Sequence, residues 1–385
     1  MLKMTLLAQL LMYLPGNNLA RNTSKYHGDA YNSHFSTKAH LTVLLAAQMR
    51  GWKSLREIET GFLSKENKLY HLGISKLPKR STLSDANNKR DYRIFQDTFY
   101  DLLSLTTRKL SNTNKLKIKK DLNLFDSTVI TLSLELFKWA KFRRDGGFKI
   151  HTAFNVQSQS PIFAQITHGN VNDIDGFDYD IEKYSDSIMV FDKGYLSTQL
   201  FRQLDDSGII FVTRMKKGIK YRIVKSNLVN KRGVRKDQHI QFIGDRAKRN
   251  YVRNIRLVTF VSDDKQYQFL TNQFSYSPAT IAYLYKKRWD IELFFKWIKQ
   301  NLVIKEYLGY SENAVQTQVW CSLISYLLQL YVKESINFSG GMLEFTRLVR
   351  ESLFDDVGLL DLNSSKIISK NKEMLENNLQ VNLFT

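Results

Sequence analysis

Residues 187–215 read SIMVFDKGYLSTQLFRQLDDSGIIFVTRM, and this stretch decides the fold. Two continuous apolar runs lie on either side of a segment, at 198–205, whose apolar residues have helical spacing. Runs that are apolar at every position are typical of strands buried on both faces of a sheet. The stretch therefore predicts a strand, a helix and a second strand within an α/β sheet.

Three further segments rich in β-branched and aromatic residues precede it, at 122–129, 148–156 and 161–169. Another helical segment is predicted at 174–184. Three strands followed by helix, strand, helix and strand describe a mixed α/β sheet.

The segment from 214 to 275 differs from its surroundings in charge. Residues 214–253 contain fourteen Lys or Arg and two Asp, with no Glu, and the strand-like runs IQFIG, IRLVTFVSDD and QYQFLTN follow. This pattern predicts a small, basic, β-rich subdomain. We expect it to lie in a second domain, at 111–385, that ends in a helical part at 278–385.

Residues 1–110 predict a separate helical domain, with helices at 37–49, at 54–62 and from 81 onward. The start of the last helix is expected to expose Lys79, Arg80, Asn87, Asn88, Lys89 and Arg90. Basic and polar residues at the first turns suit a helix that enters a DNA groove. An ordinary solvated helix face explains the same residues equally well.

Charge gives the first indication of a partner. The chain has 385 residues and a net charge of +20, which attracts polyanions such as nucleic acid. A structural basic protein is the alternative. A single cysteine and the absence of zinc-ligand spacing fit a reducing cytoplasm. The apolar run at 319–332 is too short to span a bilayer and predicts a buried helix, so no membrane partner is expected.

Two carboxylates follow apolar runs of the predicted sheet. Asp126 ends the run LNLFD, and Asp192 ends IMVFD. The carboxyl ends of strands are where α/β sheets place their sites, and carboxylates there suggest a shared cation. Aspartate after a strand is also a routine turn residue, so either position alone carries little weight.

A third acid lies in the segment YKKRWDIELFFKWIKQ at 285–300, whose apolar residues have helical periodicity. On a helix, one polar stripe would present Tyr285, Arg288, Glu292 and Lys299. Phosphodiester cleavage needs an activated nucleophile and a neutralised phosphate, which two divalent ions held by carboxylates supply. Oxygen ligands favour Mg²⁺, with Mn²⁺ as a substitute. The chain contains no GxxxxGK[ST] loop, so no nucleotide cofactor is expected.

The same helix resembles the Y-x2-R-x3-E-x6-K signature of insertion-sequence transposases of the group numbered four, and all four positions match. Asp126 in FDSTVI and Asp192 in FDKGY resemble the first two catalytic acids of that family, whose β-rich insertion falls between the second acid and the glutamate. The segment KLYHLGISKLPKRSTLSDANNKRD is similar to the leading domain of these enzymes. The resemblance thus covers nearly the whole chain.

The resemblance implies an α/β fold with a ribonuclease H-like mixed sheet, and a metal site formed by Asp126, Asp192 and Glu292. It further implies that Tyr285, Arg288 and Lys299, with a weaker contribution from Lys296, hold the phosphates near the cut. Trp289 follows the motif arginine, where relatives use a tryptophan on a displaced base. Core packing of this indole is the alternative.

We therefore expect a DDE transposase that cuts transposon ends and joins them to target DNA. The resemblance adds a hairpin intermediate, terminal inverted repeats as the DNA partner and a homodimer in the synaptic complex. A metal-dependent nuclease or resolvase without strand transfer is one alternative. A catalytically inactive DNA-binding regulator is the other.

Overall fold

The computed structural model describes residues 4–30, 34–110, 119–133, 135–142, 145–177, 180–229, 233–262, 265–301 and 307–363. Its chain divides into two compact units. The sheet unit comprises Leu110–Lys296, and the helical unit combines Met1–Lys109 with Trp297–Thr385. One boundary of this division falls at residues 109–110, and residues 297–385, most of the predicted C-terminal helical part, group with residues 1–109. Residues 111–118 and 364–385 of the predicted domains lie outside the described residues.

The sheet unit is built on a ten-stranded mixed sheet in the order β2-β3-β1-β5-β6-β10-β9-β8-β7, with β4 also paired to β3. The strands are β1 Leu122–Leu132, β2 Lys141–Phe142, β3 Asp145–Asn155, β4 Ser160–His168, β5 Ile188–Phe191, β6 Ile210–Arg214, β7 Tyr221–Ser226, β8 Val234–Phe242, β9 Ile255–Ser262 and β10 Lys265–Thr271. All five predicted strands up to residue 214 are confirmed.

The central strands β1, β5 and β6 are parallel to one another, and β3 runs antiparallel to β1. β5 is buried at every position, as its unbroken apolar run predicts. On one face of the sheet, Phe125, Phe191 and Phe211 pack in a cluster with Phe201 of helix α7, Thr198–Asp206. This cluster fixes which face the alternate residues of each strand occupy.

The strands of the basic insertion continue the main sheet instead of forming a sheet of their own. β10 pairs antiparallel with β6 through Leu270 and Thr213, and β9, β8 and β7 follow outward. A buried ion pair joins β8 to β9, because Arg256 Nε donates to Asp237 Oδ1 at 2.8 Å. The predicted small subdomain is therefore an extension of the central sheet.

The segment at 174–184 does not form the predicted helix. Its described residues contain two short 3₁₀ turns, Ile174–Gly176 and Ile181–Tyr184. Lys149 of β3 binds the carbonyl of Val171 just before this segment, at 2.8 Å. This contact with β3, and not a set of helical hydrogen bonds, anchors the start of the loop.

The described residues of the sheet unit also form α8 Asp245–Asn250, α9 Pro278–Lys286 and α10 Trp289–Asn301, whose last residues belong to the helical unit. Phe294 of α10 packs against Phe154 of β3, with ring centroids 5.1 Å apart. In α9, Ile281 and Leu284 are fully buried. The contact with β3 brings the start of α10 onto the sheet that carries the predicted acids.

The helical unit contains α1 Leu6–Leu11, α2 Gly16–Lys25, α3 Thr37–Arg50, α4 Leu55–Leu63, α5 Arg80–Lys89, α6 Arg93–Leu110, α11 Glu312–Ser335 and α12 Met342–Ser352. The run at 319–332 lies within α11 and is almost entirely buried, as predicted. Over the residues that the structure describes, no helix combines the length and the apolar character needed to cross a membrane.

The surface expected on α5 is only partly confirmed. Lys79 and Arg80 are exposed, but Asn87 and Arg90 are buried. Asn87 pairs with His40 of α3 at 2.8 Å, and Arg90 donates to the carbonyl of Phe35 at 2.7 Å. These two side chains therefore tie α5 to its own unit. Lys79 and Arg80 at the start of the helix, and Asn88 and Lys89 near its end, are the predicted residues that are exposed.

Candidate active site

Register in the parallel sheet places the first two acids side by side. Phe125 of β1 and Phe191 of β5 are partners, and Asp126 and Asp192 are the residues that follow them. Neighbouring strands lie about 4.8 Å apart, so consecutive residues after a paired position emerge close together. Because side chains alternate along a strand, Asp126 lies on the face opposite Phe125.

The predicted position of Asp126 at the end of a strand is wrong. β1 continues to Leu132, and Asp126 pairs with Thr152 of β3 in the middle of the strand. The pairing between β1 and β5 ends just before Asp126, because Phe125 is the last residue of β1 that pairs with β5. The carboxylate therefore lies at the edge of the parallel part of the sheet, which the one-dimensional pattern did not distinguish from a strand end.

The segment 285–300 is not the single helix that its periodicity predicts. α9 ends at Lys286 and α10 begins at Trp289, with a turn at 287–288 between them. In this turn the amide of Arg288 donates to the carbonyl of Tyr285 at 3.0 Å, three residues back in place of four. Tyr285 and Arg288 therefore do not share a helical stripe with Glu292.

The turn instead directs these side chains to the acids. Arg288 Nη1 donates to Asp126 Oδ2 at 2.8 Å, and its Nη2 donates to Glu292 Oε1. The Tyr285 hydroxyl donates to Asp192 Oδ1 at 3.3 Å. All three predicted acids, with the predicted tyrosine and arginine, thus meet in one network within the sheet unit.

Electrostatics in this network centre on Asp126. Burial raises the pKa of Asp126 to about 6; the amide of Ser127 and the charge of Arg288 lower it, while Asp192 and Glu292 raise it. Burial works against the charge of Arg288, but Tyr285 and the acids Asp126 and Glu292 raise its pKa overall. A cation near Asp126 would favour its ionised form in the same way that Arg288 does.

Sequence reasoning missed a second network beside the first. Ser127 and Lys149 both donate to Asp173 Oδ1, at 2.8 and 2.9 Å. Burial raises the pKa of Asp173, but these two hydrogen bonds, together with the charges of Lys149 and His151, hold it below its ordinary value. Asp173 belongs to a turn-forming run, NVNDIDG, in which an aspartate has no pattern that distinguishes it from a loop residue.

The other predicted contact residues lie outside the network of acids. Trp289 has 59% of its surface exposed, which argues against the core-packing alternative. Lys296 is exposed in the sheet unit, and Lys299 is half-buried in the helical unit. Lys79 and Arg80 belong to the helical unit, where Arg80 pairs with Glu59 at 2.9 Å.

Two acids lie side by side where adjacent parallel strands stop pairing, and an arginine joins one of them to a third acid. In a strongly basic chain, this arrangement suits an enzyme that acts on nucleic acid. Residues 117–328 match the family described as the Transposase DDE domain, more than half of the chain. The chain belongs to this family and is an insertion-sequence DDE transposase, an enzyme acting on DNA. Residues 3–75 match a domain of unknown function, DUF4372.

Several curated proteins are similar to this chain. A Sinorhizobium fredii protein named as transposase y4zB is 32% identical over 288 residues, which cover 72% of this chain and 78% of that protein. A Geobacillus stearothermophilus protein named as the transposase of insertion sequence element IS5377 is 26% identical, covering 81% and 82% of the two chains. A Synechocystis protein named for element IS4SA is 27% identical, covering 64% and 70%.

A solved structure of a piggyBac transposase synaptic complex with hairpin DNA covers 97% of this chain and 82% of its own, with 10% identity and a TM-score of 0.42. A score this low supports no detailed comparison.

Transposase DDE domains use divalent metal ions, and the donor set of this site suits one. Three carboxylates offer hard oxygen ligands, which Mg²⁺ and Mn²⁺ prefer. Within the described residues no three such side chains already form a closed coordination site, and Arg288 bridges Asp126 and Glu292 instead. The chemistry of these carboxylates and the raised pKa of Asp126 suit a divalent ion. For the ion to bind, the guanidinium of Arg288 must release its hydrogen bonds to Asp126 and Glu292.

Proposed function

We propose that this transposase cuts the ends of its element and joins them to target DNA through Asp126, Asp192 and Glu292. The observation that carries the proposal is the register that pairs Phe125 with Phe191, because it brings two acids together from distant parts of the chain. The bond from Arg288 to both Asp126 and Glu292 adds the third acid to the same network.

The order of the strands supports a ribonuclease H-like core for this sheet. β4, β3 and β1 form an antiparallel meander, and β5 and β6 continue from β1 in parallel. Asp126 lies within β1 and Asp192 follows β5, the two strands at the centre of this arrangement. In this proposal the strands from β7 to β10 form the insertion between the second acid and the glutamate.

Divalent ions, Mg²⁺ or Mn²⁺, held by the three acids would activate the attacking oxygen and neutralise the leaving one. Arg288 would orient the phosphate. Its Nε is buried without a hydrogen-bond partner among the described residues, so a phosphate oxygen would satisfy it. The Tyr285 hydroxyl would hold Asp192 in position, since it already donates to that carboxylate.

Side chains outside the network supply further DNA contacts in this proposal. Trp289 would stack on a displaced base at a hairpin end, because an exposed indole stacks on any unpaired base. Lys296 and Lys299 would contact backbone phosphates, and Lys79 and Arg80 at the start of α5 would contact the terminal inverted repeats. Two copies of the chain would hold two ends in a cytoplasmic synaptic complex.

The test supplies labelled duplexes carrying the inverted repeats that flank the coding region, together with a target plasmid and Mg²⁺. We expect nicked, hairpin and joined products from the wild-type chain. Asp192→Ala and Glu292→Gln should abolish all three and still retard the end duplex in a gel shift. Asp290→Asn is the matched control, because Asp290 lies on the same helix and pairs only with Lys287 among the contacts described.

The products also distinguish the alternatives. Cleavage without joined product would identify a nuclease or resolvase, and end binding without cleavage would identify an inactive regulator. Normal cleavage by Asp192→Ala would refute the assigned site itself.

A further inference from the structure

Asp173 lies in the loop after β4, and none of the roles assigned above involves it. Its Oδ1 accepts hydrogen bonds from Ser127 Oγ at 2.8 Å and from Lys149 Nζ at 2.9 Å. The backbone amide of Ser127 in turn donates to Asp126 Oδ1 at 2.8 Å. One residue therefore connects Asp173 to the first acid of the proposed site.

The place of this connection in the sheet is informative. β1 is paired on both sides up to Phe125, but beyond that residue its described pairing is with β3 alone. Asp126 and Ser127 thus lie where the strand loses its support from β5. The hydrogen bond from Ser127 to Asp173 holds this part of β1 at the point where strand pairing on that side has ended.

The loop that carries Asp173 is itself held by β3. Lys149 Nζ also donates to the carbonyl of Val171 at 2.8 Å, and Lys149 is nearly buried. Gly176 lies so close to the ring of His151 that a Cβ at this position would stand 2.3 Å from it. His151 of β3 is the strand partner of Ser127 of β1. The pair β1–β3 therefore sets the position of both Asp126 and the loop that carries Asp173.

The second oxygen of Asp173 and the carboxylate of Asp192 both lie close to Gly194. A Cβ on Gly194 would lie 3.5 Å from Asp173 Oδ2 and 3.7 Å from Asp192 Oδ2. The ammonium of Lys149 compensates the charge of Asp173.

We propose that Asp173 is a positioning residue that, through Ser127, holds the Asp126 carboxylate in the orientation that binds the divalent cation. A ligand held by an outer hydrogen bond binds its metal more tightly, because less freedom is lost on binding. The inference rests on the proposed role of Asp126 as a ligand.

The experiment measures Mn²⁺ binding to the full-length chain by electron paramagnetic resonance, alongside thermal unfolding and cleavage of end DNA. Ser127→Ala should weaken Mn²⁺ binding roughly tenfold, in the range typical of outer partners of metal ligands. Ser127→Thr, which keeps the hydroxyl, should restore it. Asp173→Ala should weaken Mn²⁺ binding at least as much. If this variant fails to fold because Lys149 loses its partner, Ser127→Ala still tests the inference.

Two matched controls separate positioning from general stability. Tyr251→Phe removes one hydrogen bond to Asp205, and Asp237→Asn removes one charge from a buried ion pair, both in the sheet unit. Both should affect unfolding without changing Mn²⁺ affinity. Equal losses of Mn²⁺ affinity in Tyr251→Phe and Ser127→Ala would overturn the inference, as would unchanged affinity in Ser127→Ala.

Asp126→Asn distinguishes this inference from the function on which it rests. If Asp126→Asn loses Mn²⁺ binding while Ser127→Ala keeps it, the role of Asp173 is wrong and the metal site stands. If Asp126→Asn still binds Mn²⁺ and cleaves DNA, the assigned metal site is wrong, and the role of Asp173 with it.

Discussion

The carboxyl group of Asp126 is buried, and its ionised form loses hydration there. Arg288 and the amide of Ser127 compensate only part of this loss, because Asp192 and Glu292 add negative charge nearby. A residue that serves chemistry in this way lowers the stability of the fold that carries it. Because the pKa of Asp126 is raised, this loss of stability depends on pH and can be measured.

Asp126→Asn should stabilise the protein near neutral pH. The folded state binds a proton at Asp126 more tightly than the unfolded chain does, since the pKa rises from 3.8 to about 6. The free energy of unfolding of the wild type therefore falls as pH rises through this interval, by at most about 3 kcal/mol. Urea unfolding should show a gain for the variant near neutrality that shrinks towards pH 4, about the ordinary carboxyl pKa.

The exposed acid Asp121, changed to Asn, provides the control for this comparison. If Asp121→Asn raises the free energy of unfolding by the same amount, the explanation by desolvation is contradicted. It is also contradicted if the gain in Asp126→Asn does not depend on pH.

Trp289 permits a second test with a single residue. Because the indole is exposed, Trp289→Ala should change the free energy of unfolding by no more than about 0.5 kcal/mol. If the indole stacks on a displaced base, its loss should slow hairpin formation or opening roughly tenfold, since stacking contributes about 1–3 kcal/mol. Initial nicking should remain.

Leu293→Ala is the matched control for Trp289, because Leu293 is exposed on the same helix. Rates on a preformed hairpin and on an intact duplex end measure the two steps separately. An equal slowing by both variants, or no slowing by Trp289→Ala, would remove the base-stacking role.

Among the elements of the sheet unit, the loop between β4 and β5 shows how packing replaces regular structure. Its residues make two 3₁₀ turns that rest on β3, where Lys149 and His151 contact them. The loop thereby reaches β1 without a helix of its own. Its position depends on close contact at Gly176.

Gly176→Ala should therefore destabilise the sheet unit. The added methyl group would overlap the ring of His151, and overpacking of this kind costs about 1–3 kcal/mol. Thermal unfolding of the full chain measures the loss. Gly244→Ala is the control, because a Cβ there would meet nothing within 4 Å. Equal stability of the two variants would show that the loop adjusts freely.

For the whole molecule, the net charge of +20 is the property that acts at long range. Residues 214–253 hold much of it, and β7, at the outer edge of the sheet, exposes Arg222 and Lys225. Cations that contact phosphates release counterions, so their contribution to binding depends on salt.

Changing Arg222 and Lys225 to Gln should weaken binding to DNA of any sequence. If both contact phosphates, the slope of log affinity against log salt should fall in magnitude by about 2. Fluorescence anisotropy over a range of salt concentrations measures it. Ile223→Gln with Val224→Gln changes the same exposed strand without changing charge and should leave the slope unaltered. An unchanged slope for the charge variant would place β7 away from DNA.

Sequence alone determined the properties that depend on local pattern. The five strands up to residue 214, helix α7 and the buried α11 were predictable because burial imposes an apolar period on each element. Asp126, Asp192 and Glu292 could be proposed as a set because short local motifs surround each of them: FDSTVI, FDKGY and the signature around Glu292. Net charge, which is a sum over residues, required no structure at all.

Tertiary structure decided what depends on contacts between distant segments. The register of β1 and β5 put Asp126 beside Asp192, and the turn at 287–288, which no Pro or Gly marks, aimed Arg288 at Asp126. Contacts with Ser127 of β1 and Lys149 of β3 placed Asp173 beside the acids. A pattern records the local environment of each residue, whereas register and loop position follow from packing across the sheet.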